Sequence, residues 1–489
     1  MTDRLEGQSR GNTERQQQRG REPYAEWDRL EDIGDLHYDA SSFSTALEYY
    51  QRLLDEGHLQ GMPADRYLRV LGKSFDAVIQ VGRLDTADSF LKQALGVLDA
   101  DDSLDPEHKR LLAAPIMRRQ AALLLRRSQY ENALRIAKHA FAILAVTDEH
   151  LEVARLQTAM GIIHRRLGRN EKAAELYTDA LATFRRIGFE PGVAWLNNNL
   201  AMVHLSACRW QQARDLLGKA QETARKLGAT GMITSFLVNE GILLAKIGRH
   251  NEARTVLEKA WRLARSLGNR QIQTGILLAL GNLEIQAGRI ARAEECLLEA
   301  KLNADEGGYA RESTIADEYL GDVLLARGEV EKALFNYGLG LEKSRGIGTV
   351  NDLEGELLRR IAEAQRRLGH LDAAIETAAA ALAVCEKCGE LYEVGFCHLT
   401  MGLARAAREE WGEADRSFEL AVQTFQRQHL PVQRCRAVLA YLETRRDTAR
   451  TRQLRSLRRY LLDVHETGAA EIDEETLCQV LEGLAEIQL

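Results

Sequence analysis

The stretch from Gly241 to Leu280 reads GILLAKIGRHNEARTVLEKAWRLARSLGNRQIQTGILLAL, and the stretch from Gly281 to Leu320, GNLEIQAGRIARAEECLLEAKLNADEGGYARESTIADEYL, repeats its pattern. Glycine stands at 241 and 281, at 248 and 288, and at 268 and 308, while alanine stands at 253 and 293 and again at 260 and 300. Outward from these two lines, an alanine keeps the same place at Ala46, Ala87, Ala133, Ala173, Ala213, Ala253, Ala293, Ala333, Ala374 and Ala414. The intervals are 41, 46, 40, 40, 40, 40, 40, 41 and 40 residues. A fixed period of this length is the mark of a repeat array, in which each unit buries its apolar face only against its neighbours.

Other small residues keep step with that alanine. Twelve positions before it stand Gly34, Gly161, Gly241, Gly281, Gly321 and Gly402, with Ala121, Ala201 and Ala362 in three further units. A small residue there, in the middle of a first helix, lets a second helix approach closely. Five positions before it stand Gly82, Gly168, Gly248, Gly288, Gly328 and Gly369, suited to a tight helix–helix turn. Fifteen positions after it stand Gly61, Gly188, Gly228, Gly268, Gly308, Gly348 and Gly389, suited to a helix C-cap. A further small residue recurs seven after the alanine, and a large one sits between them, as in Tyr50, Tyr177, Leu217, Leu257, Leu297, Tyr337 and Phe418. The pattern predicts ten packed helix pairs.

Composition agrees. Glycine numbers 38 in 489 residues but proline only 6, with none from Gly192 to Leu430, as expected of helices punctuated by glycine. Hydrophobic residues make up 45% and charged residues 28%, so the chain can bury a core. A net charge of −7 gives no overall basic field for nucleic acid, and no apolar run is long enough to span a membrane. The polar stretch 1–24 has no apolar segment of the secretory kind and is expected to be a disordered tail. Seven scattered cysteines suggest no disulfide framework, so a cytoplasmic setting is expected. Cys385, Cys388 and Cys397 form the closest approach to metal-ligand spacing. Without a second C-x-x-C they read as thiols rather than a zinc site. No Walker-type phosphate loop occurs, and no nucleophile–base pair or carboxylate dyad stands out, so no cofactor, metal or catalytic residue is assigned.

Small, large, small and small residues at these offsets resemble the tetratricopeptide repeat family over roughly Trp27 to Phe425. The forty-residue period is similar to that of the spindle-orienting G-protein adaptor and of sensor regions in bacterial transcription regulators. The resemblance implies an all-α, right-handed superhelix of about ten repeats over 25–428, with capping helices over 429–489. It also implies a concave groove formed by positions 18, 15, 14, 11, 8 and 7 before the key alanine.

Those positions give the groove residues expected to bind a partner: Arg118, Arg119, Arg155, Arg165, Arg166, Trp195, Asn198, Asn199, Met202, Asn239, Asn282, Tyr319, Asp322, Arg359, Arg360 and Arg366. An asparagine amide donates and accepts at once and so matches an extended peptide backbone. Flanking arginines suit a partly acidic partner. Lysine is scarce, and Thr158 and Ile162 stand where the family's chaperone adaptors grip a C-terminal carboxylate, so a clamp of that kind is not expected. The function expected is a non-enzymatic scaffold binding a protein or peptide segment. The alternative is the sensory part of a transcription regulator whose output domain lies elsewhere.

Two charged features carry their own readings. Asp28, Glu31, Asp32, Asp35 and Asp39 crowd the first helix, as dipole partners or as a docking face for a basic partner. Arginines between Arg445 and Arg459, with Leu454, Leu457, Leu461 and Val464 forming a stripe, read as an amphipathic helix. It is expected to cap the solenoid, with self-association or nucleic-acid contact as lesser alternatives.

Overall fold

In the computed structural model, residues 24–39, 42–101, 104–347 and 352–444 are described, together with 459, 460, 462 and 481. The readings placed on 1–23 and on the arginine-rich and final helices fall outside the described residues, isolated positions aside.

The chain forms antiparallel helix pairs in sequence order. They are α1 (24–39) with α2 (Phe43–Gln60), α3 (Ala64–Val81) with α4 (Leu84–Ala100), and α5 (Pro106–Arg126) with α6 (Tyr130–Leu144). Then come α7 (His150–Arg166) with α8 (Asn170–Arg186), α9 (Glu190–Ser206) with α10 (Trp210–Lys226), and α11 (Thr230–Lys246) with α12 (His250–Leu267). The rest are α13 (Arg270–Gln286) with α14 (Ile290–Gly307), α15 (Ala310–Ala326) with α16 (Val330–Ile347), α17 (Asp352–Arg367) with α18 (Leu371–Cys388), and α19 (Leu391–Ala407) with α20 (Trp411–Arg427). A last helix, α21 (Pro431–Thr444), packs on α20 and buries Val432, Cys435, Ala437 and Leu442. No helix among the described residues is long and apolar enough to cross a membrane.

The ten key alanines sit near the start of the second helices, at 0–1% exposure. In six units the glycine twelve before the alanine is the socket for the large residue four after it. A Cβ on Gly161 would lie 2.5 Å from the Tyr177 ring, one on Gly321 2.4 Å from Tyr337, and one on Gly281 2.5 Å from Leu297. Where the socket is Ala121 or Ala362, the opposing residue shrinks to Ala137 or Ala378, which offsets the added methyl group. The remaining two units pair Ala201 with Leu217 and Phe75 with Leu91 and so depart from the rule.

The turn between paired helices needs one residue in the left-handed region. Gly82, Gly168, Gly288, Gly328 and Gly369 supply it at φ between 67° and 81°. Ser128, Cys208 and Glu409 hold the same slot at φ 60°, 54° and 62°, so the backbone demand persists where glycine is missing.

The right-handed superhelix closes on itself. Tyr309 Oη donates to the Gly82 carbonyl at 2.9 Å across 227 residues, and Asn170 Nδ2 donates to the Cys388 carbonyl at 2.7 Å across 218. Trp210 Nε1 donates to the Gln428 carbonyl at 2.6 Å, again across 218 residues, and Asn269 Nδ2 bonds the Gln80 carbonyl. Divided by a forty-residue unit, the spans of 218 and 227 residues give between five and six units, and the span of 189 residues gives slightly under five. Ala304 and Tyr309 share an apolar cluster with Ile79, Leu84 and Ile116 from the preceding turn. A Cβ on Gly168 would lie 2.3 Å from Cys388 Sγ, whereas one on Gly288, Gly328 or Gly369, in the second turn, would meet nothing within 4 Å.

The acidic face of α1 is corrected by this packing. Its basic partner is α3 of the same chain: Arg66 bonds Asp28 at 2.7 Å and Glu31 at 3.0 Å, and Lys73 bonds Glu31 at 2.9 Å and Asp35 at 2.5 Å. Asp28, Glu31 and Asp35 are thus paired internally, while Asp32 and Asp39 stay exposed.

The socket contact yields a double-mutant test. Gly161→Ala should destabilise by about 1–3 kcal/mol, since Tyr177 must shift. In a Tyr177→Ala background the same change should be neutral or stabilising, because it recreates the Ala121–Ala137 pair. Denaturant midpoints of the four proteins give the coupling.

Candidate functional site

The residues expected to line a groove all lie on the odd-numbered helices, at positions 18 to 7 before the key alanine. On α5 and α7 the arginines Arg118, Arg119 and Arg155 meet carboxylates. Arg118 Nε donates to Glu152 at 2.7 Å, Arg119 pairs with Asp76 at 2.8 Å and bonds the Gly72 carbonyl, and Arg155 donates to Glu152 at 2.6 Å while lying over the Phe189 ring. Burial works against the Glu152 charge, but Arg118 and Arg155 overcome it and hold the carboxyl at about 2.

The middle of the groove is amide-lined and apolar. Asn239 Nδ2 donates to Asn198 Oδ1 at 2.8 Å, and Asn198 Nδ2 lies 3.5 Å from Asn199 Oδ1. Asn198 is buried and acts as the support. Among the described residues, the half-buried Asn199 donates to nothing and Asn239 accepts from nothing. Asn282, one unit on, accepts from Gln286 at 3.4 Å. Trp195 stands edge-on to Phe236 at 5.1 Å, and Met202 packs beside Leu205 and Leu217.

The far end, on α15, α17 and α19, is a dense ionic network. Arg360 grips both Asp322 oxygens at 3.0 Å, reaches Glu318 Oε1 at 2.6 Å without hydrogen-bond geometry, and lies over Tyr319. Tyr337 also donates to Asp322, at 2.7 Å. Arg359 bonds Glu393 at 2.5 Å, and Arg366 forms a fork on Glu363 at 2.8 Å. Sequence alone marked Arg359, Arg360 and Arg366 as available to an acidic partner. The structure finds each already joined to a carboxylate of its own wall.

Carboxylates are in surplus there. Burial, opposed by Arg360 and reinforced by Glu356, pushes Glu318 well above the usual range, and burial with Glu393 raises Glu356. Glu390, missed by sequence reasoning, accepts from Ser206 of the other turn at 2.7 Å. Burial and Asp352 raise it to about 7, against Ser206 and Lys246. Lys246 in turn lies 3.9 Å from the Tyr392 ring centroid. The only signal for Glu390 was its place beside the Gly389 cap, which did not mark it as a groove residue.

The cysteines are packing groups. Cys385 and Cys397 face each other, and that contact with burial raises the Cys385 thiol; burial lifts Cys388 to about 12. No cluster of three or more metal-ligating side chains occurs among the described residues. His37 stacks on Tyr49 at 5.5 Å, and burial lowers His164 to about 4.

Helix pairs of this length, packed through a glycine or alanine socket around a groove, define a helical-repeat solenoid. A sequence profile of the tetratricopeptide repeat matches residues 112–186 and 192–266, the stretch that holds α5 to α12. Comparison with curated proteins gives no match. Among solved structures, a Rap protein complexed with competence and sporulation factor aligns at TM-score 0.56 and 18% identity, over 76% of this chain and 99% of that one. The Rap conjugation gene regulator of plasmid pLS20, complexed with the Phr* peptide, aligns at 0.48 and 16%, over 74% and 96%. The Cut9–Hcn1 hetero-tetramer of APC/C aligns at 0.49 and 15%, over 83% and 75%. At these identities the likeness to the first structure is one of fold.

Two measurements probe the network. Arg360→Met strands Glu318 and Asp322 and should cost about 3–5 kcal/mol in denaturant unfolding, whereas Arg366→Met, on a more exposed pair, should cost under about 1 kcal/mol. Glu390 binds its proton more tightly folded than unfolded, so its contribution is present at low pH and is lost as pH rises towards about 7. The thermal midpoint should therefore fall between pH 5 and 7.5 more steeply in the native chain than in Glu390→Gln, by roughly one proton's worth of slope.

Proposed function

We propose that this chain is a non-enzymatic scaffold that holds an extended protein segment inside its superhelix, centred on the fifth to seventh units. The observation that carries the reading is the row of amides Asn198, Asn199 and Asn239 on adjacent first helices, with Trp195 beside it. Two part-satisfied amides at equivalent places on neighbouring helices can each meet one N–H or C=O of an extended backbone, which is the peptide-binding logic of strand addition carried out by side chains. Trp195 and Met202 supply apolar contact beside them.

Two further facts support an extended occupant. Contacts between successive turns wall the groove, so an occupant lies along the superhelix rather than docking as a folded body. The Rap protein of similar fold was solved as a complex with competence and sporulation factor. The groove also offers a cationic side on α5 and α7 and a carboxylate-rich side on α15 to α19, favouring a segment with charge at both ends.

A random peptide array probed with the full chain tests this. Peptides bound by the native protein should lose at least about tenfold in affinity to the variant Trp195→Ala, Asn199→Ala, Asn239→Ala, since each lost hydrogen bond contributes about 1 kcal/mol. Equal binding by the variant, or no peptide bound by the native chain, would sink the reading.

A further inference from the structure

The arginines of the groove are of two kinds. Arg118, Arg119, Arg155, Arg359, Arg360 and Arg366 each have a carboxylate oxygen within 3.0 Å. Arg126, Arg165 and Arg166 do not. Arg126 Nη1 donates to the neutral amide oxygen of Gln271 at 2.5 Å, and Gln271 passes its own N–H to Glu312 at 3.0 Å. Arg166 Nη1 stands 3.9 Å from Asp352 Oδ2, but both Asp352 oxygens already accept from Arg311 at 2.6 Å. Arg165 makes no ion pair with a carboxylate among the described residues.

Arg126 and Arg166 hold the same slot, seven before the key alanine, on the adjacent helices α5 and α7, while Arg311 and Asp352 come from α15 and α17 in the next turn. Arg166 and Arg311 thus share one carboxylate, with Arg165 next to Arg166 in sequence and unpaired by any carboxylate among the described residues. The consequence is visible in Arg166, which burial and then the charges of Arg311 and Arg165 push down to about 10. Burial lowers Arg126 as well, against Glu312. Arg166 nevertheless keeps 29% of its side chain exposed, so a ligand can reach it.

We propose that Arg126, Arg165 and Arg166 form an oxyanion site at the joint between superhelical turns, taking a carboxylate or phosphoryl group carried by the segment in the groove. The proposal rests on the groove reading above and names which of its arginines meet the partner. Guanidinium forks suit both groups, each offering two parallel N–H donors to two oxygens. An anion there would also draw the α5–α7 wall towards Arg311 of the next turn, tightening the closed superhelix.

The test uses the full chain and simple anions. Thermal unfolding is followed in inorganic phosphate and in glutarate against chloride at equal ionic strength, for the native chain, Arg166→Gln and Arg366→Gln. The native midpoint should climb with at least one anion, with the apparent affinity weakened at least tenfold by Arg166→Gln and unchanged by Arg366→Gln. In chloride, Arg166→Gln should match or exceed the native midpoint, because a cation short of counter-charge has been removed; a residue placed only for stability would give the opposite sign. Arg165→Gln provides the same comparison should Arg166→Gln not fold. A stronger response to glutarate assigns the site to acidic side chains, and a stronger response to phosphate assigns it to a phosphorylated segment. An equal climb in Arg166→Gln, or no climb with either anion, would overturn the proposal. Because no peptide is involved, such a failure leaves the array result on the groove itself standing.

Discussion

Everything larger in this molecule depends on the contact between a glycine in one helix and a large ring or leucine in its partner. That contact sets how closely the two helices of a unit approach, and it recurs as Gly34–Tyr50, Gly161–Tyr177, Gly241–Leu257, Gly281–Leu297, Gly321–Tyr337 and Gly402–Phe418. Because each hairpin has nearly the same geometry, the small rotation from one unit to the next is also nearly constant, and a constant rotation makes a superhelix of regular pitch. A pitch of between five and six units brings Gly82 beneath Tyr309 and Asn170 beneath Cys388. The closed superhelix is thus a remote result of a methyl-sized constraint.

That chain of causes explains what could be read beforehand. The sockets, the turns and the caps recur every forty residues because each unit meets the same steric demand, so they stand out in the sequence as columns of glycine and alanine. The joint between turns does not recur in this way. Asn170 donates to a carbonyl, Tyr309 to another, and Trp210 to a third, each from a different slot and residue type. A backbone carbonyl accepts from any donor that geometry brings near, so no residue pattern marks its partner. The groove was half legible for a related reason. Its expected positions followed from the repeat, and Asn199 and Asn239 hold the same offset on adjacent helices α9 and α11. Their charge balance did not follow, since the carboxylates that neutralise Arg118 and Arg359 come from Glu152 and Glu393, at positions outside the six counted as concave.

The ionic lining also has a cost that bears on what it is for. Ion pairs such as Arg311–Asp352 and Arg360–Asp322 lose hydration on burial, and the attraction offsets that loss only with good geometry. An apolar lining of the same volume would be at least as stable. It would also present a greasy inner wall to any chain segment and bind without discrimination. Paired charges leave the wall polar, so the proposed binding falls where pairing is incomplete: at the amides of the middle units and at Arg165 and Arg166 of α7.

Polar contacts also cross the joint between turns. Arg166 faces Asp352 across the joint between turns, and Ser206 with Glu390 and Lys246 with Tyr392 cross the same joint one and two units on. The links across the joint include hydrogen bonds, charge contacts and an apolar patch in which Ala304 and Tyr309 meet Ile79 and Leu84. A segment held in the groove as proposed would touch groups on both sides of the joint, and by linkage whatever it gained from closure would return as stability of the closed form.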